Sequence, residues 1–206
     1  MIGVILAAGV GSRLRPMTNN KPKCMVTTAG LPILQYQLNA YINAGIKDII
    51  IVVGYEGSAI VEYCKHIKDI NIKFVFNDIY EDSNNMYSFY LAKSFIYGKP
   101  FILNNADLSI DDTIVEKLIV DKRKDLIAVD VGLFNDESMK VSVNAEGKIS
   151  DISKLVTEES SLGCSIDFYK FSAESSKIFI DKITQIVEVD KNMKDWIEVA
   201  MQELFI

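Results

Sequence analysis

Apolar positions along the chain alternate between short unbroken runs and longer stretches with helical spacing. Ile2 to Ala8 is apolar apart from Gly3 and ends abruptly at Gly9, the pattern of a buried strand feeding a loop. From Leu31 to Ala44, the residues Leu34, Leu38, Tyr41 and Ile42 recur at helical spacing, opened by Pro32 and closed at Gly45. Asp48 to Val53 is almost entirely Ile and Val, as in a buried parallel strand. A second helix is expected from the Gly54-Tyr55 turn to about His66, and a short strand over Ile72 to Phe76. The polar stretch Asn77 to Ser88 leads into a helix ending near Phe95, with Ser83 or Asn84 as its cap. Pro100 to Leu103 predicts a strand with Asn104-Asn105-Ala106-Asp107 at its end, followed by a helix from about Asp112 to Asp121.

Leu126 to Val131 predicts the next strand. Met139 to Val143 and Lys148 to Ile152 flank Asn144-Ala145-Glu146-Gly147, a hairpin signal. Ser165 to Phe171 alternates like another strand, and two helices are expected near Ala173–Ile186 and Lys194–Phe205. The first half therefore reads as βαβαβ with right-handed crossovers. The fold class is α/β: a mostly parallel sheet flanked by helices, with β-hairpin insertions in the second half, in a single domain over residues 1–206. Ligands of such sheets bind beyond the carboxyl ends of the strands, where the loop after Leu6 falls.

Composition changes this picture in a few places. The net charge is −6 with no basic block, which argues against a nucleic-acid surface. An anionic ligand must then be drawn by a local positive site and not by the global field. Cys24, Cys64 and Cys164 lie far apart with no Cys-x-x-Cys pair, and read as buried thiols of a reducing compartment. Cys24 adjoins Lys23, but packing is its expected role. With no leader and no long apolar span, a cytoplasmic protein without membrane partners is expected. His66, the single histidine, stands among lysines at a helix end and reads as a surface or capping residue. Nothing in the sequence opposes a homodimer.

The candidate chemistry gathers first between Leu6 and Lys23. Gly9 and Gly11 let backbone approach a ligand and take positive φ, and successive N–H groups in such a loop converge on an anion. Arg13 and Lys23 add one forked and one point positive charge. Together they suggest a triphosphate cradle. It is not a Walker loop, since no Gly-Lys-Ser/Thr follows, nor a dinucleotide fingerprint, since the third glycine is absent. Asp107, at the end of a buried strand, suits a Mg²⁺ ion bridging phosphates, or is a solvated turn aspartate. Asn84 and Asn85 alone read as a cap and turn.

The pattern Leu-Ala-Ala-Gly-x-Gly-Ser-Arg-Leu-x-Pro-x-Thr, then Lys-Pro-Lys, resembles the signature of the sugar-phosphate nucleotidyltransferase superfamily, whose sheet is Rossmann-like. The resemblance implies that Leu6, Ala7, Ala8, Gly9, Gly11, Ser12, Arg13 and Lys23 bind a nucleotide, with Arg13 and Lys23 acting in catalysis and Asp107 holding Mg²⁺. The segment Asn77-Asp78-x-Tyr80, with Asn84-Asn85-x-Tyr87-Ser88-x-Tyr90-Leu91, resembles bacterial phosphocholine cytidylyltransferases. That implies base recognition by Asn84, Asn85 and Ser88, and an amide can meet both the donor and acceptor edges of cytosine. Glu-Ser-Met-Lys-Val and Ile-Ser-Lys resemble the acceptor-side hairpins of that subgroup, making Lys140 and Lys154 candidates for the acceptor phosphate. Tyr87 and Trp196 are candidates for an aromatic cage around an ammonium group, with Tyr80 and Tyr90 near. Tyr87 and Tyr90, three apart on a helix, equally fit core packing. Met139 stands where the subgroup resemblance calls for an aromatic residue.

The expected function is Mg²⁺-dependent transfer of CMP from CTP to a small phosphorylated acceptor of phosphocholine type, with pyrophosphate released, in capsule or cell-surface polysaccharide synthesis. Alternatives are another phosphorylated amine or amide such as phosphoglutamine, a sugar 1-phosphate with UTP or dTTP, or a non-catalytic nucleotide-binding subunit. Relatives of this kind continue past a segment like Asp195-Trp196-Ile197-Glu198 into a turn with a second metal-binding aspartate. The sequence ends at Ile206 before such a turn, so a longer chain, another carboxylate or another chain is expected to complete the site.

Overall fold

A computed structural model describes residues 1–205. The chain opens with strand β1 (Ile2–Ala7), then a small antiparallel ladder of β2 (Thr27–Thr28) and β3 (Leu31–Pro32) that hands directly to helix α1 (Ile33–Asn43). Strand β4 (Asp48–Val53), helix α2 (Gly57–Cys64) and strand β5 (Asn71–Phe76) follow. Helices α3 (Asn85–Leu91) and α4 (Lys93–Ile96) lead to β6 (Phe101–Asn105), and α5 (Ile114–Val120) to β7 (Leu126–Val131). The hairpin of β8 (Lys140–Val143) and β9 (Ile149–Ser153) precedes β10 (Gly163–Phe171), α6 (Ala173–Thr184) and α7 (Ile197–Met201).

One sheet in the order β5-β4-β1-β6-β10-β8-β9 runs through the molecule, with β7 also paired to β10. β5, β4, β1 and β6 are mutually parallel, whereas β10 runs antiparallel to β6, β7 and β8. After β1 the chain builds outward through β4 and β5, then crosses to β6 on the other side of β1. β1 is therefore the switch point of the sheet, and a crevice opens at its carboxyl end.

Side chains on β1 alternate between two cores, as the two-residue period of a strand dictates. Val4 and Leu6 pack with Met86, Phe89, Phe101, Phe171 and Phe179 beneath α3, α6 and α7. Ile5 and Ala7 pack with Leu34, Leu38, Tyr41, Ile60 and Val115 beneath α1, α2 and α5. β1 and β4, in the middle of the parallel half, are apolar on both faces because both faces are covered by helices.

Several expected bounds shift, and two of the differences bear on the site. β6 continues through Asn105, because Asn104 is fully buried and its polar atoms are met by Tyr41 and Gln37. The final helix, expected over Lys194–Phe205, is confined to Ile197–Met201 with one tighter turn at Gln202–Leu204. Residues before it are drawn out as a loop by hydrogen bonds to the Asn84-Asn85 turn.

Candidate functional site

A cleft of about 360 Å³ lies at the carboxyl ends of β1 and β6. Its floor is Leu6 to Gly9, one wall is Gly11 to Arg13 with Lys23 and Cys24, and the other is Asn105 to Asp107. Tyr80, Ser83 to Asn85, Ser88 and Trp196 close the far end. All eleven residues expected at the nucleotide line this one cleft, together with Asp107 and Trp196. A larger cleft of about 470 Å³, between β7, the β8–β9 hairpin and Phe205, contains none of the expected site residues.

The first wall is shaped by backbone constraints. Gly11 has φ +65°, and a Cβ there would stand 2.9 Å from Lys23 Cβ, so only glycine lets the two segments close. The loop is then tied at several points. Thr18 Oγ1 donates to the Gly11 carbonyl at 2.9 Å, and Leu14 N donates to the same oxygen at 3.1 Å. Tyr55 spans the loop: its N–H donates to the Ala8 carbonyl at 3.1 Å, and its hydroxyl to the Asn19 carbonyl at 2.6 Å. Tyr55 also packs edge-on against Tyr80 of the cleft.

Lys23 Nζ pairs with Asp107 Oδ2 at 2.5 Å, so the cation from the first loop and the carboxylate after β6 meet across the cleft. Both remain partly exposed, at 30% and 38% of the side chain. Asp107 is positioned from beneath by a buried amide network. Gln37 Nε2 donates to the carbonyls of Asn105 and Leu108 at 3.1 and 2.8 Å. Asn104 donates to Gln37 Oε1, and Tyr41 donates to Asn104 Oδ1 at 2.6 Å. Each member is satisfied, which is what makes such a network rigid and not costly. Burial pushes the Cys24 thiol up to about 12, so it is an inert packing group beside Lys23.

The far end is built on Asn77, which is buried and donates to Ser83 Oγ and Ser88 Oγ, both at 3.0 Å. Asn84 caps α3 through the N–H of Asn85 at 2.8 Å, while its Nδ2 donates to the Lys194 carbonyl at 3.2 Å. Asn85 Oδ1 accepts from Ile197 N at 2.9 Å. Both amides thus stitch the turn to the start of α7, and the Nδ2 donors of Asn85 are left for the cleft.

The expected acceptor residues separate. Lys154 comes to the cleft's edge, its Nζ 4.8 Å from the Trp196 ring centroid. Tyr87 is not in the cleft lining; it stacks on Tyr90 at 5.7 Å, and Tyr90 donates to Glu188 at 2.6 Å. Core packing is what places Tyr87 there. Lys140 also lies off the cleft. It is only 2% exposed, its ammonium faces the Asp136 and Asn135 carbonyls at 3.4 and 3.5 Å, and it stands 5.0 Å from the Phe134 ring centroid.

A cluster that the sequence reading passed over lies behind Asn105 and Trp196. Asn105 Nδ2 donates to Asp167 Oδ2 at 3.1 Å. Tyr169 Oη lies 3.1 Å from Asp167 Oδ1 and 2.9 Å from Glu198 Oε1. Burial raises the Asp167 carboxyl, with the nearby charge of Asp107 adding to it. Burial and the charge of Asp167 push Glu198 up to about 7. The available signal was a carboxylate inside each of two apolar segments, Ser165–Phe171 and Ile197–Met201, where an unpaired charge is costly.

Among the described residues no three His, Cys, Asp or Glu side chains converge as metal ligands. Asp107 nevertheless fits a Mg²⁺–phosphate complex. It is a half-exposed carboxylate opposite an anion-shaped loop, and Mg²⁺ commonly takes only one or two protein carboxylates.

Comparison with known proteins puts this geometry in context. Choline-phosphate cytidylyltransferase of Streptococcus pneumoniae is 47% identical over 94 residues, covering 45% of this chain and 39% of that protein. CTP:phosphoglutamine cytidylyltransferase of Campylobacter jejuni is 36% identical over 135 residues, 63% of this chain and 53% of that one. The match thus spans about two fifths to about half the length of these relatives. The solved CTP:phosphocholine cytidylyltransferase of Streptococcus pneumoniae shares the fold, with a TM-score of 0.74 at 23% identity, covering 98% of this chain and 84% of that one. A sequence model described as nucleotidyl transferase matches residues 2–139, the stretch that carries the glycine loop, Lys23, the Asn84-Asn85 turn and Asp107. On that match this chain belongs to the nucleotidyl transferase family.

Proposed function

We propose that the chain transfers CMP from CTP to a small phosphorylated acceptor and releases pyrophosphate. The observation that carries this is the convergence of the Gly9–Arg13 loop, Lys23, Asp107 and the Asn84-Asn85 turn on one cleft. Two relatives are cytidylyltransferases by name, one of choline phosphate and one of phosphoglutamine.

The acceptor's phosphate is its own nucleophile. With a second pKa near about 6 it is mostly dianionic at neutral pH and needs no general base. Its oxygen forms a bond to the α-phosphorus of CTP while the α–β bridging P–O bond breaks, and pyrophosphate leaves in line. Catalysis is then positioning and charge neutralisation. The backbone of Ala8 to Ser12 and the cations Arg13 and Lys23 face the triphosphate. Asp107 would hold Mg²⁺, which when bound supplies further neutralisation of the phosphate charge. Lys23 positions Asp107 through their ion pair. At the base end, an Asn85 Nδ2 donor suits N3 of cytosine, an acceptor, and not N3 of uracil, a donor. Ser88 stands beside it, fixed by Asn77. Lys154 at the Trp196 edge is the cation that meets the acceptor phosphate.

The test is pyrophosphate release with CTP, UTP, dTTP, ATP and GTP, each paired with phosphocholine, phosphoethanolamine, phosphoglutamine and glucose 1-phosphate at saturating Mg²⁺. CTP with a small phosphorylated amine or amide should turn over fastest. Preference for UTP or dTTP with glucose 1-phosphate would overturn the reading.

A further inference from the structure

Behind the acceptor end of the cleft, Asp167, Tyr169 and Glu198 contain two carboxylates and one phenolic hydrogen. That hydrogen satisfies Asp167 Oδ1 or Glu198 Oε1, not both. Ser165 Oγ points its hydrogen at the phenol oxygen at 3.2 Å and adds no donor to either carboxylate. Glu198 is 2% exposed, and its Oε2 is the buried side-chain polar atom with no partner among the described residues. An orphaned buried acceptor of this kind is costly, more so when charged, unless a donor reaches it. The cluster adjoins the cleft at two points: Asn105 lines the cleft and holds Asp167, and Trp196, two residues before Glu198, lines its other edge.

We infer that Asp167, Tyr169 and Glu198 form a subsite for a protonated primary amine of the acceptor, so that the substrate class is a phosphorylated primary amine and not a trimethylammonium compound. This rests on the cytidylyl-transfer reading of the same cleft. Two independent features favour N–H donors. Glu198 Oε2 has no donor among the described residues, and Tyr169 links Glu198 to a second carboxyl group, Asp167; an –NH₃⁺ group brings three donors to this cluster and a quaternary ammonium none. Tyr80 and Trp196 line this end of the cleft, but the aromatic box that a quaternary ammonium requires is left incomplete. Tyr87 is stacked on Tyr90 outside the cleft lining, and the Trp196 ring already faces the Lys154 ammonium. Asp167 has φ +54°, a conformation that Asp and Asn tolerate better than other side chains, so Asp167→Asn removes charge with little backbone cost.

The experiment compares kcat/KM for phosphoethanolamine, phosphocholine and glycerol 3-phosphate at saturating CTP, in the wild type, Asp167→Asn and Glu198→Gln, with thermal unfolding to verify folding. The wild type should prefer phosphoethanolamine at least tenfold over both others. Each variant should lose at least tenfold with phosphoethanolamine and less than threefold with phosphocholine. Equal or better turnover of phosphocholine by the wild type would overturn the subsite, and so would folded variants that lose all three acceptors equally. If no pair turned over, the transfer reading would fail by itself. Calorimetric titration of phosphoethanolamine and phosphocholine into the protein would then decide the subsite. Tighter phosphoethanolamine binding, lost in Asp167→Asn, upholds it; indistinguishable binding refutes it.

Discussion

At the scale of single residues, Lys23 and Glu198 carry the sharpest expectations. Lys23 meets Asp107 at 2.5 Å while facing the anion loop, so its removal leaves one charge unpaired and another unopposed. Losing a charge-assisted contact costs about 1.5–3 kcal/mol, so Lys23→Ala should lower kcat/KM for CTP by about 10- to 150-fold, measured by steady-state pyrophosphate release. Unchanged turnover would remove Lys23 from the site. Glu198 is a carboxyl raised by burial from 4.5 to about 7. The folded state therefore keeps a proton that the unfolded chain gives up, and stability falls as pH rises from about 4.5 towards 7. Glu198→Gln removes that dependence. Its melting temperature, set against the wild type at pH 5 and pH 8, should compare more favourably at pH 8. Parallel pH profiles would contradict the burial of an ionising Glu198. The environment of Glu198 could not be read from the chain alone, because Asp167 and Glu198 come from segments whose approach is decided by tertiary packing.

At the scale of elements, the sequence predicted what local chemistry controls. The boundaries of β4 and β7 agree residue for residue, since Ile/Val-rich runs with polar flanks leave little ambiguity. The turn at Asn144 to Gly147 closes as expected, with Asn144 N donating to the Lys148 carbonyl at 2.8 Å and Gly147 at φ +75°. Where elements were misjudged, a distant partner decided. Asn104 looked like the end of β6 because its buried partners, Tyr41 and Gln37, lie more than sixty positions away. The last helix was overestimated because Met193 and Lys194 spend their carbonyls on Asn84. Tyr55 was likewise invisible as a strut, although it binds both ends of the Ala8–Asn19 loop. Tyr55→Phe removes the hydroxyl bond to Asn19, worth about 0.5–1.5 kcal/mol. The loop should loosen, raising KM for CTP about two- to tenfold while kcat changes little. An unaltered KM would show that the loop holds its shape without the strut.

At the scale of the molecule, the switch point of the sheet gathers residues from opposite ends of the chain. The phosphate loop was legible because eighteen positions in a row carry it, from Leu6 to Lys23. The acceptor side was legible only in part: Lys154 and Trp196 were expected there, but Asp167, Tyr169 and Glu198 were not, since β10 and α7 meet only as the antiparallel half wraps the parallel one. That half places Lys154 with Trp196 and takes Lys140 and Tyr87 elsewhere. The proposed reaction joins the CMP part of CTP to an intact phosphorylated acceptor in this cleft. The most direct measurement supplies CTP labelled at the α-phosphorus together with phosphoethanolamine, phosphocholine or phosphoglutamine and follows the label by chromatography. The label should appear in a CDP-linked acceptor, one molecule for each pyrophosphate released, and Asp107→Asn should abolish it without unfolding the protein. Label recovered only in free CMP or CDP, or product formation undiminished in Asp107→Asn, would contradict it.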